Sequence, residues 1–157
     1  MPQASRIAPF AATLIVAVIL QLLFIIPDIK DTPTRAVTEF TKAYFKADKA
    51  MADRLCEDAR IVDGVDVVDR YVYQKTQKAA DRGFGMFYMT DSVYNLRSQV
   101  VRRDGATVEV RVTGKAKPIL KSFFTGEEEK DIDEVVRLVN DNGRWLVCGN
   151  VFSIASI

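Results

Sequence analysis

Three kinds of hydrophobic pattern follow one another along this chain. From Ile7 to Ile26 the residues are almost continuously apolar, interrupted only by Pro9, Thr13 and Gln21. A helical spacing comes next. Thr32-Pro33 combines a hydroxyl N-cap with proline at the first helical position, and Ala36, Val37, Phe40, Tyr44 and Ala47 then recur as a stripe. A shorter helix is predicted from Lys49 to Asp58, burying Met51, Leu55 and Cys56. Gly64 interrupts before a third helix from Val65 to Arg82, with Val65, Val68, Val72 and Ala79 on one side and Gly83 suited to its C-terminal cap.

After Gly83 the period changes to two. Val93 to Val101 reads as a long strand, and Arg103-Asp104-Gly105 supplies a hairpin turn. The return strand alternates most cleanly: Val108, Val110 and Val112 interleave with Thr107, Glu109, Arg111 and Thr113. Lys115 to Lys130 is expected to be an irregular connection. A second hairpin pairs Ile132–Asn140 with Arg144–Val151 through Asp141-Asn142-Gly143. Helices first and antiparallel strands afterwards point to an α+β fold, with a curved sheet wrapped over the helices. The alternating tail from Val151 to Ile157 is expected to extend the last strand and to offer it to another chain.

The apolar run has the length of a membrane-crossing helix, about 20 residues for a hydrocarbon core of roughly 30 Å. A cleaved signal peptide is the alternative. It would have a shorter apolar core and a small-x-small site, whereas Pro27-Asp28-Ile29-Lys30-Asp31 follows here. The predicted organisation is therefore residues 1–6 in the cytoplasm, an anchor over 7–26, a linker over 27–31, a folded domain over 32–151 and a tail over 152–157. Arg6 on one flank and Asp28 and Asp31 on the other place the domain outside the cell's inner membrane, periplasmic or extracellular. Gln21 either snorkels toward water or marks a helix–helix contact.

Charge and composition then narrow the chemistry. The 157 residues include 22 Lys+Arg, 21 Asp+Glu, two Cys and no His. Setting Arg6 aside leaves 21 basic against 21 acidic residues, so the domain has no electrostatic footprint for nucleic acid. Without His there is no Ser-His-Asp or Cys-His pair and no imidazole base or ligand. Two Cys are too few for a Cys₄ metal site. No metal site, cofactor or catalytic motif is expected. Tyr44, Tyr71, Tyr73, Tyr88, Tyr94 and Asp91 are the groups an acid–base mechanism would have to use, at spacings that match no catalytic motif.

Other residues are candidates for binding and bridging. Cys56 and Cys148 would be joined in an oxidising compartment, or else remain two buried thiols. Phe84, Met86, Phe87, Tyr88 and Met89, with Tyr94 and Trp145, are candidate pocket or interface residues; the plainer reading of the cluster is a buried strand leading into Val93. Ile119, Leu120, Phe123 and Phe124 lie in the irregular connection, where apolar groups mark a partner or membrane contact or else fold under the sheet.

Three helices, two long hairpins and the final Asn142-Gly143-Arg144-Trp145 turn together resemble the nuclear-transport-factor-2-like superfamily, also called cystatin-like or SnoaL-like. The resemblance covers roughly Thr32 to Val151. It implies a cone whose sheet and helices enclose a pocket, and a range of roles from isomerase and dehydratase to ligand binding and scaffolding. Behind one N-terminal span the layout is similar to bacterial bitopic assembly factors of type IV secretion systems and to anchored accessory proteins of lipid-uptake systems. The expected function is that of an envelope scaffold or accessory subunit, with other envelope proteins or a second copy as partner. The alternative is binding of a lipid or small apolar ligand inside the cone.

Overall fold

A computed structural model describes residues 12–21, 30–120 and 129–156. The chain divides into two units, Met1–Asp31 and Thr32–Ile157. In the first, residues 12–21 form a helix, α1, with exposed side chains. No helix among the described residues is long and apolar enough to cross a membrane, and both ends of the expected 7–26 span lie outside them.

The second unit is α+β, with helices packed on an antiparallel sheet. Helix α2 (Pro33–Phe45) begins as its sequence dictates: Thr32 Oγ1 accepts the Arg35 amide at 3.2 Å, and Pro33 occupies the first turn. Its stripe of Ala36, Val37, Phe40 and Thr41 is buried, and the Thr41 hydroxyl donates to the Val37 carbonyl.

The helix expected over Lys49–Asp58 is divided. A 3₁₀ turn covers Lys49–Arg54, Leu55 is extended, and a four-residue helix α3 spans Glu57–Arg60. The cause is tertiary. Leu55 forms a parallel bridge with Val147, and the Cys56 amide donates to the Val147 carbonyl at 2.8 Å, so this backbone covers the edge of the last strand.

The next helix starts two residues later than expected. Strands β1 (Ile61–Val62) and β2 (Val65–Asp66) form a small hairpin around Asp63-Gly64, both at positive φ. Asp66 then caps α4 (Val67–Ala80), accepting from the Val68 and Asp69 amides. The far end closes at Gly83, φ +76°. There the Gly83 and Phe84 amides return to the carbonyls of Ala80 and Ala79.

The main sheet runs β3 (Asp91–Asp104), β4 (Thr107–Pro118), β5 (Lys130–Asp141), β6 (Arg144–Cys148), in that order and antiparallel throughout. Regular strand reaches Pro118 and resumes at Lys130, so the expected connection over Lys115–Lys130 is shorter at both ends. Register shifts interrupt the β3–β4 ladder between Tyr94 and Arg97 and between Val100 and Arg102. At the first of them Asn95 takes φ +53° and Gly114 lies opposite, where a Cβ would approach Leu96 Cδ1 to 3.1 Å. Such bulges bend a strand, and the missing side chain at Gly114 admits the close approach.

One face of the sheet carries Val108, Val110 and Val112 from β4, Val136 and Leu138 from β5, and Val147 from β6, all buried in one core with α2 and α4. The tail corrects another expectation. Gly149, at φ +104°, turns the chain, and Val151–Ser156 form a 3₁₀ turn instead of prolonging β6. Its apolar alternation serves burial: Ile154 is 0% exposed and belongs to the core.

Candidate binding surfaces

Aromatic rings pack together where α2, α4 and the C-terminal turn meet. Tyr44 stands at the centre, its ring 4.8 Å from Tyr71 and 4.9 Å from Phe152, with Phe40 and Phe45 on the periphery. Both phenols are committed to backbone. Tyr44 donates to the Phe152 carbonyl at 3.0 Å, and Tyr71 donates to the Tyr44 carbonyl at 3.1 Å. Burial pushes both hydroxyls above the ordinary tyrosine range, so they are neutral hydrogen-bond donors near pH 7.

The remaining candidate acid–base groups do not converge on this place. Tyr73 is exposed on α4, and Tyr88 is buried against Phe84 at a ring separation of 4.2 Å. Tyr94 lies on β3, where the Glu129 carboxylate raises its phenol. Asp91 opens the same strand.

Phe84–Met89 is not the strand expected there. Met86–Met89 form a 3₁₀ turn, which sends Tyr88 inward and leaves Phe87 79% exposed. A strand would also alternate, but one turn of 3₁₀ helix separates the two directions over adjacent residues and ends where β3 must start. Thr90 fixes that exit, its hydroxyl donating to the Phe87 carbonyl at 2.9 Å.

Phe87 stands over an open groove of about 650 Å³. Met86 and Phe87 form one wall, Val72 of α4 another, and Ile119 a third, just beyond β4. The Ile119 amide reaches the Thr90 carbonyl at 3.4 Å, joining two of these walls. The turn that ends α2 completes the groove with Lys46 and Lys49, both exposed. Ala47 within that turn takes φ +51° and is buried, which turns the chain sharply between the two lysines. Volume and apolar lining fall within the range of small-molecule sites.

A second recess, of about 520 Å³, lies beside the Cys56–Cys148 disulfide. The Cα atoms of the two cysteines are 5.1 Å apart, and the bond ties the segment before α3 to β6. Ala59, Val62 and Val139 line this recess together with Arg137. Both cysteines are thus joined, and of the two states open to them the bridge is the one observed.

The outward face of the sheet carries ion pairs. Arg111 of β4 grips Asp133 of β5 with two bonds of 2.7 and 2.6 Å, and Lys115 pairs with Glu129 at 3.1 Å. Val100, Val101 and Val135 are exposed apolar residues on the sheet, and Phe87 and Ile119 are exposed at the groove.

The predicted interface residues therefore part company. Phe87 and Phe84 are exposed, Met86 and Met89 half-buried, and Tyr88 and Trp145 buried. Ile119 and Leu120 are exposed, while Phe123 and Phe124 lie outside the described residues. Lys46 and Lys49 escape the sequence reading, and Val72 reads there only as part of a helical stripe, because the groove joins four separate elements and no local spacing encodes it. Compared with known protein families, characterised proteins and solved structures, the chain matches none of them.

Proposed function

We propose that this chain is a membrane-anchored accessory or scaffolding subunit of a bacterial envelope complex, with its folded unit on the extracytoplasmic side, working by docking and not by catalysis. The observation that carries this reading is Phe87, 79% exposed beside an apolar groove. The disulfide supports an oxidising compartment. The apolar run over residues 7–26 supports the anchor, and Arg6 its orientation. Helices followed by four antiparallel strands support the nuclear-transport-factor-2-like resemblance.

Native electrophoresis of gently solubilised membranes tests this function. The full chain should run in an assembly larger than itself, and Phe87→Asp should release it as a smaller species. Migration of the wild-type chain as a monomer would remove the proposal.

The groove also favours a second reading, binding of a small apolar ligand or lipid, moved from the interior of the fold to its surface. A volume of about 650 Å³ is enough for such a ligand.

A further inference from the structure

The Cys56–Cys148 disulfide opens onto the recess of about 520 Å³, and both cysteines are only half-buried. The charges around it differ from one end of the bond to the other. Arg137 of β5 stands directly opposite Cys148 in the β5–β6 ladder and lines the same recess. Such cross-strand neighbours share a face of the sheet, with Cβ atoms about 5 Å apart. On its other side Arg137 is opposite Glu109 of β4, yet it forms no ion pair among the described residues. Cys56 has the reverse setting. Glu57 and Asp58 follow it in the first turn of α3, both exposed, and Asp58 lines the recess. The recess is thus neutral as a whole, with its cation placed at Cys148 and its carboxylate near Cys56.

From this arrangement we infer that the disulfide is a thiol–disulfide exchange site, opened in the folded protein by an external dithiol that attacks Cys56. A thiolate of the dithiol bonds to Cys56 Sγ, the Cys56–Cys148 bond breaks, and the electron pair departs on Cys148 Sγ beside Arg137. The second thiolate of the dithiol then attacks its own sulfur in the mixed disulfide and expels Cys56. Two electrons and two protons pass to the two cysteines, and the dithiol leaves as its disulfide. The direction follows from the leaving group. A neighbouring cation stabilises a departing thiolate and a carboxylate opposes it, so Cys148 leaves more readily than Cys56. The bond also fastens the cover of β6, which otherwise rests on the Leu55–Val147 bridge and the Cys56 amide. Exchange therefore acts on the protection of that strand edge. A dithiol oxidoreductase has the chemistry to be the partner, and this site is separate from the groove.

Reduction kinetics of the full chain, held in a neutral sugar detergent, test the exchange. Dithiothreitol should open the bond at a rate proportional to its concentration and unchanged by urea below the unfolding transition. A rate that rises in step with urea unfolding would show that the bond is reached only through global opening, and would overturn the inference. A brief pulse of glutathione, a monothiol that stalls at the mixed disulfide, is then quenched with N-ethylmaleimide and mapped by mass spectrometry. Glutathione is expected on Cys56 and the maleimide on Cys148. Arg137→Gln should slow opening about threefold and spread glutathione toward Cys148. Because Arg137 is exposed, the variant should keep its Trp145 fluorescence and its urea midpoint, which separates altered exchange from loss of fold. Glutathione chiefly on Cys148, or an Arg137→Gln variant with unchanged rate and distribution, would overturn the assigned direction of attack.

Discussion

The Tyr44 hydroxyl donates to the backbone carbonyl of Phe152 at 3.0 Å, across 108 residues of chain. That bond fastens the C-terminal turn beneath α2, where the Phe152 ring also stacks on Tyr44 and Ile154 is fully buried.

The C-terminal turn is part of the core. Ile154→Ala should cost about 2–5 kcal/mol in urea unfolding, the usual range for emptying a buried aliphatic site. Tyr44→Phe should cost about 1 kcal/mol by leaving the Phe152 carbonyl without its donor. Truncation after Gly149 removes Ile154 and Phe152 together, so it should unfold or severely loosen the domain instead of merely detaching a partner.

The disulfide spans 92 residues. In the chain-entropy account a loop of that size contributes about 4 kcal/mol. Cys148→Ala should therefore lower the urea midpoint and, by freeing the unfolded chain, steepen the slope, and wild-type protein in reductant should show the same changes. An unchanged midpoint would mean that the covering of β6 by Leu55 and Cys56 holds without the covalent bond.

Asp66 ties a helix cap to an ion pair. Desolvation raises its carboxyl, but the Arg60 guanidinium at 2.7 Å and the Val68 and Asp69 amides outweigh that, and the net shift is downward. A depressed folded pKa adds stability that is fully present above the unfolded value, about 3.9, and is lost as pH falls through the folded value. Asp66→Asn keeps a capping side chain and loses the charge. The stability gap between wild type and Asp66→Asn should be widest near pH 6 and close toward pH 2, as measured by urea unfolding across that window. A gap independent of pH would show that the ionised carboxylate adds nothing.

Phe87 and Phe40 are the same residue type in opposite environments. Phe87 is 79% exposed, and Phe87→Ser should change stability by no more than about 0.5 kcal/mol. Phe40 is fully buried, and Phe40→Ala should cost about 3–5 kcal/mol. A costly Phe87→Ser would place that ring in the core and remove it from any binding surface.

Local signals were legible wherever the chain decides its own conformation. Thr32-Pro33 started α2, Gly83 stopped α4, the valine alternation marked β4, and the Asp-Gly and Asn-Gly pairs turned both hairpins. The small hairpin at Asp63-Gly64 bears the same kind of signal, but in sequence Gly64 reads only as a break and Val65 as the first position of a helical stripe. Other elements answer to distant neighbours. Leu55 leaves its helix because β6 has an edge to cover, and residues 151–156 coil inward because the helices and sheet leave room for Ile154. The groove is the extreme case, since it needs the end of α2, the middle of α4, a 3₁₀ turn and the end of β4 to meet.

The most direct measurement of the docking account is site-specific photo-crosslinking in intact cells, with a benzophenone amino acid replacing Phe87 in the groove or Arg111 on the ion-paired sheet face. The account predicts a discrete adduct with one envelope protein from position 87 and none from position 111. Adducts from position 111 alone, or no protein adduct from position 87, would contradict it.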